Sequence, residues 1–580
     1  MRFFRVLVLS IVVALLSSFV SLVFIRFLLS YEYYVQLVFT RGIACFLCVA
    51  FSVFAGSFLL FVFKEFHARG AGVENIIRDY HMPLRVFRIR TLLLKIISTI
   101  ITIGGGGSGG IQGPSVYIGG FIGGWIAEKI RVNYIERKTL MLVGIAAVLS
   151  AIFKAPLGAF FYAIEIPYKR DFETRCIVPV LIGSIIGLLF SISFNIGFDF
   201  KFPSLSMNYT SLLDPFMILL YILFGLYTVL VAVCFIYLDK LVYRFRKSVL
   251  NYTGLELVII AVFSLIVGLI IFLEPMTYGT GMNYVSNTLF GLEESLHKLS
   301  LVALLILVFA KMLATSLTIK SGASAGYFGP GIFIGALSGM IYYKLLVLLG
   351  IEVKDPLVYA YLGMAAFYGS ISAAPIGTSI LVTELTRNHF FILPSLLSSL
   401  IARELIINNT LYKSQRSTRL KIDIERLLDS FLIILRNKPD LLNDPVSKLN
   451  LPRPPIIAFD DTLNRALLIS LNSIYRVIPV RKNDKIVGVI DVRRINPQKI
   501  LTSRKDTIKE YVLKTPMVKT NTSIKKIVEL MSKKNIDTII VVNEFDKYLG
   551  IVNTETLQKY LLYLAWWMKN EQSSSRSKRS

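Results

Sequence analysis

The feature that most constrains this chain is a glycine-flanked helix start that occurs twice. Ser108-Gly109-Gly110-Ile111-Gln112-Gly113-Pro114 and Ser324-Ala325-Gly326-Tyr327-Phe328-Gly329-Pro330 share the pattern S-[GA]-G-x-x-G-P at an offset of 216 (Pro114 to Pro330), each before an apolar run. Proline suits the first position of a helix, where its missing N–H has no partner to lose, so a helix is expected to begin at Pro114. The glycines before it let the backbone come close to whatever the helix end faces. Such an end carries about half a positive elementary charge and suits an anion. Inside a bilayer, non-helical backbone persists only where it is buried in protein or lines a cavity. The pattern therefore reads as an anion site at mid-membrane.

A second repeated block supports this. Gly144 to Glu165 matches Gly363 to Glu384 without a gap, at an offset of 219 (Glu165 to Glu384). Gly and Pro are common in transmembrane helices, but that alone does not order two blocks at nearly one offset. Paired Gly/Pro-interrupted segments in corresponding places of two repeats point to a transporter-like binding site. Because Glu165 recurs as Glu384, hydrogen bonding at a helix end is favoured for it, with ion or proton passage as the alternative.

Composition fixes the setting. Of 580 residues 54% are hydrophobic and 17% charged. The apolar stretch from Met1 to Tyr34 is too long for a signal peptide and reads as a first span. Net charge is +26, from 63 Lys and Arg against 37 Asp and Glu. In a soluble protein that would suggest nucleic acid. Here the cations gather in loops and beyond residue 403, as cytoplasmic parts of membrane proteins do, so no nucleic acid partner is expected, and the tail 573–580 reads as a basic end for anionic lipid. Cys45, Cys48, Cys176 and Cys234 lie in or beside apolar runs, and the four histidines are scattered, so neither a disulfide framework nor a metal site is implied. The run Gly104 to Gly107 is not followed by a phosphate-loop lysine, which removes a nucleotide loop there.

Taken in order, a first membrane repeat spans residues 1–200, with another helix start punctuated by Gly70-Ala71-Gly72-Val73-Glu74. A second repeat spans 201–413, with a polar connection at 208–213 and an amphipathic break at 274–298. Several apolar segments (115–130, 140–152, 157–166) are too short to cross upright, at about 20 residues per span. A linker over 414–450 leads to two β-α-β-β-α units, 451–505 and 506–565, and a basic tail, 566–580. The first unit carries strands at Val477 to Val480 and Ile486 to Ile490 around a turn at Asn483-Asp484. The second carries Thr538 to Val542 and Tyr548 to Val552. This layout resembles a pair of CBS domains.

The membrane part resembles the CLC family of chloride channels and proton-coupled chloride exchangers. The marks are Gly110-Ile111-Gln112-Gly113-Pro114 at G-[KR]-E-G-P, Gly326-Tyr327-Phe328-Gly329-Pro330 at G-x-F-x-P, Gly70 to Glu74 at G-S-G-I-P, and Tyr412 at the inner-gate tyrosine. The fold class expected is a mainly α membrane protein of two repeated, inverted halves with broken and tilted helices, plus a cytoplasmic α/β CBS pair. The resemblance implies a homodimer with one anion pathway per subunit in a lipid bilayer, here the plasma membrane. It implies an anion against the N–H groups of Tyr327 and Phe328 and the hydroxyl of Tyr412, and an outer anion near the N–H groups of Ile111 and Gly113. Without the resemblance, a lone Tyr412 near a membrane interface reads as an aromatic anchor. Three departures stand out: Gln112 replaces the gating glutamate, Ala71 the serine whose hydroxyl would contact the central anion, and Glu74 a proline.

An exchanger of this kind needs a carboxylate that enters the anion path and carries a proton. Glutamine is neutral and does neither, and the residue after Glu165, where exchangers often carry a relay glutamate, is Ile166. Passive conduction of chloride is the reading favoured, gated at Gln112 and Tyr412, with slow uncoupled transport beside it and proton-coupled exchange as the alternative. A CBS-regulated magnesium channel is the remote alternative, since helix N-termini present the wrong sign of charge to a cation. No nucleophile–base pair or metal cluster supports an enzyme, and no cofactor is expected. Adenine nucleotide at the CBS pair would meet Asn553, Thr554 and Glu555, a displaced version of the usual hydroxyl-and-acid turn, with Arg493-Arg494 as a basic candidate in the first unit. A dimer brace is the favoured role.

Overall fold

The apolar sequence forms long helices, and glycine or proline stands at the ends of several of them, at Gly72, Pro156, Gly322 and Pro375. In the computed structural model the described residues are 2–38, 42–82, 86–195, 197–198, 202–203, 213–253, 255–282, 285, 299–351, 355–419, 422–471, 475, 477–483, 485–492 and 507–577. Asp484, the arginine pair Arg493-Arg494, residues 208–212 of the polar connection and most of 283–298 lie outside them. The chain divides into two compact units, residues 1–132 with 136–419, and residues 133–135 with 420–580.

The first unit is helical. Its first half runs through α1 (Arg2–Val38), α2 (Ile43–Val62), α3 (Val73–His81), α4 (Ile89–Gly104), α5 (Gln112–Lys129), α6 (Tyr134–Phe153), α7 (Pro156–Glu165) and α8 (Ile177–Phe194). The second runs through α9 (Pro215–Thr253), α10 (Glu256–Leu273), α11 (Leu301–Ser321), α12 (Phe328–Leu348), α13 (Leu357–Ser372), α14 (Pro375–Thr386) and α15 (Ile392–Ile406). Eight helices among the described residues are long and apolar enough to cross a membrane. At 10 residues α7 is not: it covers about 15 Å at 1.5 Å per residue, half of a bilayer core. α5 and α12 are buried along almost their whole length. A helix buried on every side has no polar face to show, and their sequences accordingly lack an amphipathic stripe.

In the second unit α16 (Ile422–Asn437) precedes two similar sheets. β1 (Ile457–Ala458), β2 (Val477–Lys482) and β3 (Lys485–Asp491) surround α17 (Leu463–Leu471) in the sequence. β4 (Met517–Lys519), α18 (Ile524–Lys534), β5 (Thr538–Val542), β6 (Tyr548–Asn553) and α19 (Thr554–Ser577) repeat the plan. In each sheet the first two strands are parallel and the last two antiparallel. A shared core of Val477, Ile486, Val489, Ile540 and Val542 joins the sheets. Ser523 caps α18 through its hydroxyl, which accepts from the N–H of Lys526.

Candidate anion site

The two repeated helix starts differ from expectation by two residues. α5 begins at Gln112, with Ile111 as its cap, and α12 at Phe328, with Tyr327 as its cap, so each proline sits within the first turn rather than at its start. Proline loses nothing anywhere in that turn, because the first four N–H groups of a helix have no intrahelical acceptor. The first N–H taken up inside α5 is that of Ser115, accepted by Ile111 O at 3.0 Å, and inside α12 that of Gly331, accepted by Tyr327 O at 2.8 Å. Ahead of these lie the N–H groups of Gln112 and Gly113, and of Phe328 and Gly329.

The starts meet each other. Gly110 N–H donates to Gly326 O at 2.6 Å and Gly326 N–H to Gly110 O at 2.7 Å, an antiparallel bridge between equivalent residues. Equivalent groups that exchange bonds reciprocally lie about a local two-fold axis, so the halves run in opposite senses where they touch. No other residue fits this contact: a Cβ on Gly110 would come within 2.5 Å of Gly329 N, and one on Gly326 within 2.8 Å of Gly113 N. The third glycine motif closes on the same place, since a Cβ on Gly113 would fall 2.0 Å from Ala71 O. Ile111, Gln112, Gly113, Gly326, Tyr327, Phe328 and Ala71 are thus neighbours. Gln112 is fully buried, and neither its amide oxygen nor its amide nitrogen has a hydrogen-bond partner among the described residues.

Tyr412 joins them through a tyrosine that sequence reasoning missed. Its hydroxyl lies 3.1 Å from that of Tyr368, which lies 3.3 Å from that of Tyr162. The Tyr368 ring meets the Phe328 ring edge-on, with centroids 5.0 Å apart. The loop bearing Tyr412 is tied down on both sides. Leu411 N–H donates to Ile371 O at 2.9 Å, and Gln415 Nε2 donates to Ser372 O and Ile166 O at 2.8 and 3.0 Å. Glu74, which stands where the resemblance expects proline, accepts the Ser414 hydroxyl at 2.5 Å and its N–H at 3.1 Å. Tyr327 contributes more than backbone: its hydroxyl donates to Asp239 at 2.8 Å and accepts from Lys320 at 2.9 Å.

Two further pairs follow the same two-fold relation, the first within each half and the second exchanged between them. Lys95 donates to Ala68 O and Gly70 O at 2.9 and 3.1 Å and lies 5.0 Å from the Tyr117 ring centroid. Lys311 donates to Thr277 O and Gly279 O, both at 2.8 Å, and lies 5.3 Å from the Phe333 ring. Burying an ammonium costs several kcal/mol, offset here by two carbonyls and an aromatic face. Both pairs are separated by 216 residues (95 to 311, 117 to 333), the offset of the glycine motifs, so the sequence held the signal. In the second pair Glu165, at the end of α7, accepts from Gly377 N at 2.7 Å and Ile376 N at 3.4 Å at the start of α14. Glu384, at the end of α14, accepts from Gly158 N at 2.7 Å and Leu157 N at 3.1 Å at the start of α7. These are the helix-end bonds favoured for Glu165.

In the second unit, Asn553 is occupied: its Oδ1 accepts the N–H and the hydroxyl of Thr556, both at 2.8 Å. Thr554 is buried and donates its N–H to Asp537 O at 3.0 Å, while Glu555 pairs with Lys559 at 2.8 Å. The three sit together at the β6–α19 junction with their polar groups largely engaged. Nearby, burial pulls the Asp444 carboxyl up, but bonds from Lys448 (2.5 Å) and Tyr560 (2.7 Å) outweigh it and hold the group below its usual range.

Opposed helix starts that present N–H groups to a buried centre, within two structurally repeated halves of membrane-spanning length, define a membrane anion-transport protein. The chain belongs to the CLC family: the family model described as voltage gated chloride channel matches residues 52–405, and that of the CBS domain matches 508–563. It is 29% identical over 364 residues to the H(+)/Cl(-) exchange transporter ClcA of Vibrio cholerae, covering 62% of this chain and 75% of the relative. Two solved structures share the fold. One is a slow cyanobacterial Cl-/H+ antiporter, with a TM-score of 0.59 at 20% identity over 70% of this chain and 95% of that one. The other is a eukaryotic CLC transporter, with 0.58 at 17% identity over 96% and 98%.

Proposed function

We propose that this protein conducts chloride passively across a membrane, without stoichiometric movement of protons. The observation that carries the reading is Gln112: a fully buried amide at the first turn of α5, with both polar atoms unpartnered in the described structure. An amide cannot ionise, so it neither competes with chloride for the helix ends nor carries a proton across. Its Nε2 hydrogens are free to donate, which makes the residue a ligand for an anion rather than a plug. A chloride would move between the N–H groups of Ile111 and Gly113 and those of Tyr327 and Phe328, with the Tyr412 hydroxyl at the inner end. Each step exchanges hydration for fixed dipoles. Ile166, buried and apolar, offers no proton acceptor where a relay would need one.

The relatives named as proton-coupled give the second reading, exchange, its support. Purified protein in liposomes under a chloride gradient separates the two, with external chloride and internal pH recorded together. Passive conduction releases chloride with no protonophore-sensitive uphill proton movement; a fixed ratio of protons to chloride establishes exchange instead. Two copies per assembly, a plasma-membrane location and a cytoplasmic CBS pair acting as a brace rather than a nucleotide sensor complete the proposal. The engaged side chains of Asn553 and Glu555 support the brace.

A further inference from the structure

Three phenol hydroxyls run in a line from the inner end of the site into the protein: Tyr412, then Tyr368 at 3.1 Å, then Tyr162 at 3.3 Å. All three side chains are fully buried. They come from different parts of the fold, the loop after α15, α13 and α7. Tyr368 is wedged between the two residues that frame the inner site. Its hydroxyl holds Tyr412 and its ring lies against Phe328, while a Cβ on Gly331, in the first turn of α12, would strike the Tyr368 ring at 2.8 Å. A packed aromatic core explains a ring at each position. It does not explain an aligned hydroxyl on each ring, since phenylalanine would fill the same space without a polar group to satisfy.

We infer that Tyr368 and Tyr162 are positioning residues of the anion pathway that set its chloride affinity, acting through Tyr412 as a polarised chain of hydroxyls; the inference rests on the assignment of Tyr412 to the inner site. Three O–H groups joined by two hydrogen bonds leave one proton unused, at Tyr412, at Tyr162, or at Tyr368 when it accepts from both neighbours. When Tyr162 donates to Tyr368 and Tyr368 to Tyr412, the unused proton is that of Tyr412 and points toward the anion path. A hydroxyl that already accepts a hydrogen bond is a stronger donor, and the strengthening accumulates along a chain. An anion at the inner site selects this orientation. With the opposite orientation Tyr412 spends its proton on Tyr368 and turns lone pairs toward the anion. The line thus supplies from a distance what Ala71, lacking a hydroxyl, does not supply directly. Neither Tyr368 nor Tyr162 needs to touch the ion: they are positioning residues that set the donor strength of the one that does.

The test is a double-mutant cycle on the full-length protein, reading chloride affinity by calorimetric titration in detergent and half-saturation of efflux in liposomes. Tyr412→Phe is expected to weaken chloride binding about tenfold or more, the loss of a hydrogen bond to a charged partner. Tyr368→Phe is expected to weaken it about threefold to tenfold and Tyr162→Phe about twofold, a graded series set by position in the chain. The decisive variant is Tyr368→Phe combined with Tyr412→Phe, which is expected to bind no more weakly than Tyr412→Phe alone, because a chain without its last hydroxyl has nothing to polarise. Fully additive losses would overturn the relay and leave Tyr368 a packing residue. Unchanged affinity in Tyr412→Phe with efflux intact would remove Tyr412 from the inner site, and the relay with it, while leaving passive conduction standing. Proton coupling found in the wild-type protein would overturn passive conduction without touching this cycle. If Tyr368→Phe does not fold, Tyr162→Phe with Tyr412→Phe runs the same cycle one hydroxyl further away.

Discussion

Replacing Glu165 with glutamine separates a clasp from a proton path. Glu165 is buried and accepts two N–H groups at the start of α14, at 2.7 and 3.4 Å. The shorter bond is charge-assisted and worth about 1.5–3 kcal/mol; the longer lies at the limit of a hydrogen bond and adds little. Glu165→Gln keeps one acceptor oxygen but removes the charge and turns an NH2 group toward the second N–H. The expected loss is about 1.5–3 kcal/mol of stability, roughly a tenfold to hundredfold fall in the folded-to-unfolded ratio. Glu384→Gln, whose partner Leu157 N–H is exposed at the surface, should lose less. Urea titration of detergent-solubilised protein by far-ultraviolet circular dichroism measures the loss, and efflux normalised to folded protein measures transport. The expectation is a destabilised protein whose efflux per folded molecule changes less than twofold, estimated from a role confined to helix-end bonds. Wild-type stability with efflux changed tenfold or more would refute the clasp and place Glu165 on the ion or proton route.

Gln112→Glu should make efflux pH-dependent, blocked at alkaline pH where the introduced carboxylate is ionised and occupies the helix ends, and relieved at acid pH; efflux recorded from pH 4 to 8 that stays flat in a folded variant would count against it. Ala71→Ser should sharpen chloride preference over nitrate and bromide, since a hydrogen bond to an anion is worth about 1.5–3 kcal/mol before compensation; equal permeability ratios for the two proteins would dismiss the hydroxyl. Titration of the full-length protein with ATP, ADP and AMP should show no binding tighter than the millimolar range, and tight binding lost in Thr554→Ala would replace the brace with a sensor. Asp444 sits below its usual value, so the stability it lends the second unit is present above the ordinary carboxylate range and lost as pH falls through its lowered value. Hydrogen-exchange protection at residues 444–449, taken relative to the intrinsic rate at each pH, should fall in acid below about pH 4 in the wild type, and an Asp444→Asn protein should show the lowered protection already at neutral pH.

Much of the membrane architecture was legible because glycine and proline carry backbone information that survives in a single sequence. The paired helix starts, the matched Glu165 and Glu384, and the short α7 all followed from residues whose conformational limits are strict. The start of α5 was misplaced by two residues because proline is equally harmless throughout a first turn. The lysine pair could have been read from its 216-residue offset, although a charge inside an apolar helix is easily taken for an edge. The tyrosine line could not: in an apolar segment, Tyr162 and Tyr368 look like any core aromatic, and only the fold shows that their hydroxyls converge. The second unit was readable for the opposite reason, alternating strands and turn residues, so β2, β3, β5 and β6 fall within a residue or two of the expected runs.

The bonds exchanged by equivalent residues have a mechanical consequence. Gly110 and Gly326 hold each other, and Glu165 and Glu384 hold each other's opposite helix starts, so every one of these contacts crosses from one half of the membrane unit to the other. Swinging one half against the other would break all of them at once, at a cost of roughly 1 kcal/mol for each neutral bond and two to three times that for those to carboxylates. The halves are therefore tied into one body, and rocking one against the other carries that combined cost. On the proposed reading, what opens and closes the pathway is then small enough to move inside this frame: a single side chain, or the loop that carries Tyr412.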